Sequence, residues 1–272
     1  MNMYADPRNL KKPVPVGRVF TAAKPLEAPE ATYTVSARGK PANAPIFAFL
    51  RRQFGNIPLH EIESVFGFVQ KTTLYGGRYF NERELTDRDV TQLNNAGIGL
   101  RIPMTNHHVS KAEYEDARPL LNRHHAKVNS VIITNDDLAH WLRRDYPDYT
   151  LDGSVIKNLK THRKINEALD IYDSIVLPMR LNEDFDFLDR IREKDRIILF
   201  ANAGCALTCP SKLCYPSVSV MNKFEGGKFR CSQPVKDRDL LGMVDFPLRP
   251  YLDMGFTHFK LLRALPNAMT GY

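Results

Sequence analysis

Apolar residues along this chain alternate between short solid runs and longer stretches where they recur every three or four positions. T-Y-T-V-S-A (Thr32–Ala37) is β-branched and aromatic and predicts a strand. After Gly39 and Pro41, Ile46, Phe47, Phe49 and Leu50 share one helical face, closed by Gly55-Asn56. Leu59, Ile62, Val65 and Phe66 follow at a spacing that predicts a further helical turn or two. K-T-T-L-Y-G-G (Lys71–Gly77) then predicts a strand ending in a glycine pair. Thr86 is placed to cap a helix running through Asn95, with Gly97 as its stop.

The alternation continues. Strands are predicted at Ile98–Met104, Val131–Asp136, Leu151–Ile156, Ser174–Arg180 and Arg196–Asn202. Between them lie a helix capped by Ser110, one carrying Leu138, Trp141 and Leu142, one from about Thr161 to Ile171, and one carrying Phe185, Phe187, Leu188 and Ile191. A short helix near Pro247–Met254 precedes a last strand at His258–Arg263. Eight apolar strands with helices between them imply a parallel sheet, and at this length a (β/α)8 TIM-type barrel of the α/β class. The competing doubly wound sheet lacks its phosphate-binding glycine fingerprint here. So few residues follow Arg263 that the eighth helix is expected to be missing. Residues 1–31 carry Pro7, Pro13, Pro15, Pro25 and Pro29 without any period and read as an extended arm. Residues 32–272 then form a single barrel domain.

Composition changes this picture little. Hydrophobic content of 43% and charged content of 25% are those of an ordinary globular protein. No apolar run reaches the ~20 residues of a membrane span and no signal-peptide core is present, so a reducing, cytoplasmic setting without membrane contact is expected. A net charge of +7 favours an anionic partner, a small anionic substrate or RNA, though no basic block marks a nucleic-acid tail.

The cysteines change it more. All four, Cys205, Cys209, Cys214 and Cys231, lie in the segment 202–231 that follows the seventh predicted strand. Their spacing, C-x3-C-x4-C-x16-C, lacks the paired C-x2-C knuckles of structural zinc sites. Wider gaps suit a cubane whose irons each take one thiolate. A [4Fe-4S] cluster is the first reading and zinc the second. Buried thiols come third, and disulfides last in a reducing compartment. A radical-SAM assignment fails, because its C-x3-C-x2-C motif follows the first strand and leaves one iron open.

Barrel chemistry sits at the C-terminal ends of the strands. Those ends supply Tyr75, Arg78, Asn135, Asn202 and Arg263 as substrate-binding candidates, and Arg180, Lys260, His107 and His108 as catalytic ones. The cations are suited to hold a carboxylate or phosphate, and the histidines to move protons near neutral pH. Each has an ordinary alternative, in loop salt bridges or hydrogen-bonded loops. The pair His124-His125, near a helix end, reads as structural.

Five motifs in order resemble those of the collagenase-like peptidase family U-32. L-Y-G-G (Leu74–Gly77) is similar to the family's V-Y-L-G-G at its second strand, and V-I-I-T-N-D (Val131–Asp136) to A-V-I-V-x-D. L-P-M-R (Leu177–Arg180) resembles L-A-R-E, and F-A-N-A-G-C (Phe200–Cys205) resembles F-V-H-G-A-x-C. G-F-T-H-F-K-L-L-R (Gly255–Arg263) is similar to G-V-D-S-F-K-I-E-G-R. The resemblance implies a [4Fe-4S] cluster and oxygen-independent hydroxylation, in some members of RNA bases or a quinone precursor, with prephenate as an oxygen source. It carries Cys205, Cys214 and Cys231 over as family cysteines. Cys209 stands where the family has another residue, and Arg180 is followed by Leu181 in place of glutamate.

Three functions follow as expectations. The first is an iron–sulfur enzyme acting on an anionic, nucleobase or aromatic substrate. The second is an accessory or RNA-binding protein in which cluster or zinc staples the loop, paired with a second iron–sulfur subunit. Hydrolysis ranks last, since no H-E-x-x-H or G-x-S-x-G motif occurs.

Overall fold

The computed structural model describes residues 31–209, 212–233 and 243–262. Apart from Ala31, the predicted N-terminal arm lies outside them. Eight parallel strands close into a barrel: β1 (Thr32–Ser36), β2 (Ile62–Phe66), β3 (Gly99–Ile102), β4 (Ser130–Ile133), β5 (Thr150–Gly153), β6 (Ser174–Val176), β7 (Ile197–Phe200) and β10 (His258–Leu261). Each pairs with its successor, and β10 returns to β1 with Thr34 opposite Lys260. Two short strands, β8 (Asn202–Ala203) and β9 (Val244–Asp245), pair antiparallel outside the barrel.

The connections carry α1 (Ile46–Gln53), α2 (Asp87–Asn95), α3 (Lys111–His124), α4 (Asp136–Asp145), α5 (His162–Leu169), α6 (Phe185–Asp189), α7 (Cys214–Phe224) and α8 (Arg249–Asp253). Their starts follow local chemistry. Thr86 and Ser110 each form a reciprocal capping box, with Asp89 and Glu113, which satisfies backbone donors that the first turn leaves without a partner. Gly97 ends the α2 unit at φ +75°, a conformation that L side chains rarely adopt. Between strands and helices lies the apolar core, with Val35, Val65, Leu100, Val131 and Leu151 wholly buried. Each such side chain contributes roughly 1.5–3 kcal/mol. No helix among the described residues is long and apolar enough to cross a membrane.

Two predicted elements are corrected. Ile62–Phe66 is the second strand, although its apolar spacing fits a helix. A barrel strand buries both faces, here Ser64 and Phe66 on one and Val65 on the other, so the period-two signature is lost. Conversely, Lys71–Gly77 is a loop following that strand. Its β-branched and aromatic residues imitate a strand, yet its carbonyls bond to side chains. Asn106 Nδ2 donates to Thr73 O at 2.7 Å and Asn222 Nδ2 to Tyr75 O at 2.9 Å.

Candidate functional site

The site grows from what the strands turn inward. Residues that pair across parallel strands share a face, so the registers place Thr34, Ser64, Arg101, Ser130, Asp152, Ser174 and Lys260 inside the barrel. Arg101 Nε lies 2.7 Å from Asp152 Oδ2, and Nη2 lies 3.0 Å from Oδ1. Arg101 Nε also reaches Ser130 Oγ, and the Ser174 hydroxyl donates to Asp152. Taking two charges out of water costs several kcal/mol each, which this bidentate geometry offsets. The sequence reading missed the pair. The available signal was a charged residue inside each of two otherwise apolar strands.

Lys260 forms the floor of a cavity of about 100 Å³ at the C-terminal mouth. Its Nζ stands 4.3 Å from the Phe66 ring centroid and 5.9 Å from that of Phe200. Burial, reinforced by the Arg101 charge, pulls its pKa down to about 7, against the opposing pull of Asp152. Phe68, Tyr215 and Met179 supply further wall, with Ser36, Arg38 and Ser154 as polar points. Arg78 lines the same cavity with its charge already matched. Its two terminal nitrogens lie 2.6 and 2.7 Å from the Glu84 carboxylate, and its guanidinium stacks over Phe68.

A second pocket adjoins the first, sharing Val155, Ile156, Met179 and Tyr215 as a common wall. It is lined by Arg180, Lys160, Lys212, His107 and Cys209. Burial lowers the pKa of Lys160, and the charges of Arg180 and Lys212 add to that shift. The predicted convergence of cations is therefore split between two chambers. Lys260 and Arg78 line one, Arg180 lines the other, and Arg263 lies outside the described residues. His107 bonds through Nδ1 to Ser219 Oγ at 2.9 Å, and burial followed by the neighbouring His108 lowers its pKa. His108 is exposed and lines neither pocket.

The remaining candidates hold the rim in shape. Tyr75 is wholly buried and donates its hydroxyl proton to Gln70 O. Asn135 caps α4 by accepting from Leu138 N. Asn202 exchanges two hydrogen bonds with the backbone of Leu262, tying β8 to the end of β10. Two asparagines that sequence reasoning gave no binding role fasten α7 across the rim. Asn106 Nδ2 reaches Ser219 O, and Asn222 bonds Tyr75 O, Arg78 O and Phe80 N.

The U32 peptidase Mk0906 superposes with a TM-score of 0.59 at 14% identity, over 90% of this chain and 97% of that one. The fold is U32-like. Two glycerophosphodiester phosphodiesterases from Parabacteroides distasonis superpose less well, with TM-scores of 0.46 and 0.42 at 10% and 11% identity. They cover 85% and 88% of this chain, and 93% and 85% of their own. No protein-family model matches the chain, and no curated protein sequence does.

Hydrogen bonds draw parts of the cysteine loop together. Cys209 N bonds Cys205 O at 3.0 Å, Leu213 N bonds Ser232 Oγ at 2.9 Å, and the Gln233 side chain reaches Thr208 Oγ1 at 3.5 Å. Cys231 is thus held beside the segments carrying Cys209 and Cys214. No disulfide joins the four, and their thiols are half-buried. The side chains themselves form no three-ligand group among the described residues. Four thiols in one loop are the donor type that a thiolate-ligated site uses.

Proposed function

We propose that this chain is an enzyme whose barrel mouth takes a small anionic substrate with an aromatic or apolar body. In this reading Cys205, Cys209, Cys214 and Cys231 hold a [4Fe-4S] cluster at the rim, with zinc as the alternative occupant. The observation that carries the proposal is the shared wall. Tyr215, one residue after Cys214, lines both the Lys260 chamber and the cationic Arg180 chamber. A ligand lying across that wall would rest its body on Phe66, Phe68 and Phe200, and its charge near Arg180, Lys160 and Lys212. When bound, the cluster would supply one-electron transfer of the kind that oxygen-independent hydroxylation needs.

The chain's own residues have separate tasks in this reading. The aromatic walls exclude water and orient the body. Arg78, neutralised by Glu84, shapes the wall beside Phe68. His107, held by Ser219, is placed to move a proton at its Nε2, and its lowered pKa keeps it neutral at pH 7.

A second reading, an accessory protein docking on RNA or on another iron–sulfur subunit, draws on the exposed Leu213, Val220, Phe224 and Phe229 around the cysteine loop. One anaerobic preparation tests both cofactor and role. Brown colour, with iron and acid-labile sulfide in equal amounts, is expected. A colourless protein with one zinc and no sulfide overturns the cluster. Arg180→Ala is expected to lose substrate binding and keep the colour, whereas unchanged binding favours the accessory role.

A further inference from the structure

We propose that Lys260 is a carbonyl-capturing nucleophile, condensing with the aldehyde or keto group of a small aromatic compound in the barrel mouth to form an imine. This goes beyond the reading above and does not depend on the cysteines.

Lys260 is at the C-terminal end of a barrel strand, 8% exposed, and lines the cavity. Among the described residues its Nζ has no hydrogen bond and no ion pair. Asp152, the interior carboxylate whose charge acts on Lys260, is committed to Arg101 and Ser174. Phe66 and Phe200 flank the amine, and Arg101 repels its charged form. An apolar pocket combined with a neighbouring cation is the environment that turns a lysine into a nucleophile. With the pKa near 7, about half of the amine is neutral at neutral pH.

Polar groups wait beside it. Thr34 is the register partner of both Lys260 and Ser64, and all three share the interior face. The Thr34 and Ser64 hydroxyls are buried and bond to nothing among the described residues. Neither residue lines the cavity, and a bound water beneath Lys260 would satisfy these two hydroxyls. Ser36, Thr105 and Ser154 line the cavity itself and would supply hydroxyls to the oxygen that leaves as water.

The step balances without any further reagent. The neutral Nζ adds its lone pair to the carbonyl carbon, the C=O π pair moves to oxygen, and a proton passes from nitrogen to that oxygen. The resulting carbinolamine takes a second proton on oxygen and expels water as the nitrogen lone pair forms C=N. Overall, a protonated lysine and a carbonyl give a protonated imine and water. The ring of the substrate rests among Phe66, Phe68 and Phe200, so aromatic carbonyl compounds fit best.

Benzaldehyde and cyanoborohydride test this on the full chain, with and without cluster, by intact mass and peptide mapping. At pH 7 the neutral fraction of Lys260 exceeds that of an exposed lysine by on the order of a thousandfold. The expected result is one benzyl group on Lys260, acquired at least about tenfold faster than on any other lysine. Its rate is expected to rise with pH through about 7, and Lys260→Met abolishes the fast label. Mapping on the wild-type chain decides the case even if the variant fails to fold. Label spread evenly over surface lysines, or an unlabelled Lys260, overturns the proposal and leaves Lys260 as an anion contact. Because trapping needs no iron, it fails independently of the cluster reading.

Discussion

Arg101 and Asp152, 51 residues apart in sequence, meet inside the barrel in a two-point ion pair, with both side chains almost wholly buried. Each partner makes the other tolerable there. Removing one strands a charge at the centre of the fold. Asp152→Asn is expected to cost about 3–5 kcal/mol, measured by urea unfolding. A double variant, Arg101→Met with Asp152→Leu, is expected to recover much of that loss. The single change also removes the group that raises the Lys260 pKa, so benzaldehyde labelling shifts to lower pH.

Lys260 has its own signature in stability. Its folded pKa of about 7 lies below the ordinary lysine value of 10.5, so between those values the unfolded chain binds more protons than the native one. Native stability therefore gains from this group as pH rises from about 7 to 10.5, and carries the full cost of the buried charge below 7. Lys260→Met is expected to be the more stable protein at pH 6 by roughly 3–5 kcal/mol. The advantage fades toward pH 10. Parallel pH curves for the two proteins would contradict the burial of this charge.

Gly76, in the L-Y-G-G motif, is required for space and not for backbone conformation. A Cβ there would stand 2.3 Å from Thr105 O and 2.6 Å from Asn106 Cα, both backbone atoms. Gly76→Ala is expected to push apart the loops following β2 and β3, at about 1–3 kcal/mol. Faster hydrogen exchange in residues 71–80 and 104–108 would report it.

Cys209 separates the four-thiolate reading from the family pattern. If all four cysteines hold the cluster, Cys209→Ala is expected to lower bound iron as far as Cys205→Ala does. Full iron content in Cys209→Ala would mean that the fourth ligand comes from elsewhere.

Much of the architecture was written locally. Capping boxes at Thr86 and Ser110, the stop at Gly97 and the apolar runs fix most strands and helices through interactions within a few residues. The clustering of the cysteines and the candidacy of Lys260 at a strand end were legible for the same reason: position along an element is a local property. Ile62–Phe66 was not, because burial on both faces erases the alternation that marks a strand.

Tertiary structure decided the rest. Strand register alone brings Arg101 to Asp152 and sets Thr34 beside Lys260. The loop after β2 turns Arg78 back onto Glu84, and Arg180 lines a separate chamber, although the sequence offers them as one set. Desolvation, which gives Lys260 its depressed pKa, depends on neighbours that meet only when the barrel closes. The sequence by itself determined the barrel and the residues available at its mouth; barrel closure determined which of their charges are spent on each other and which face a ligand.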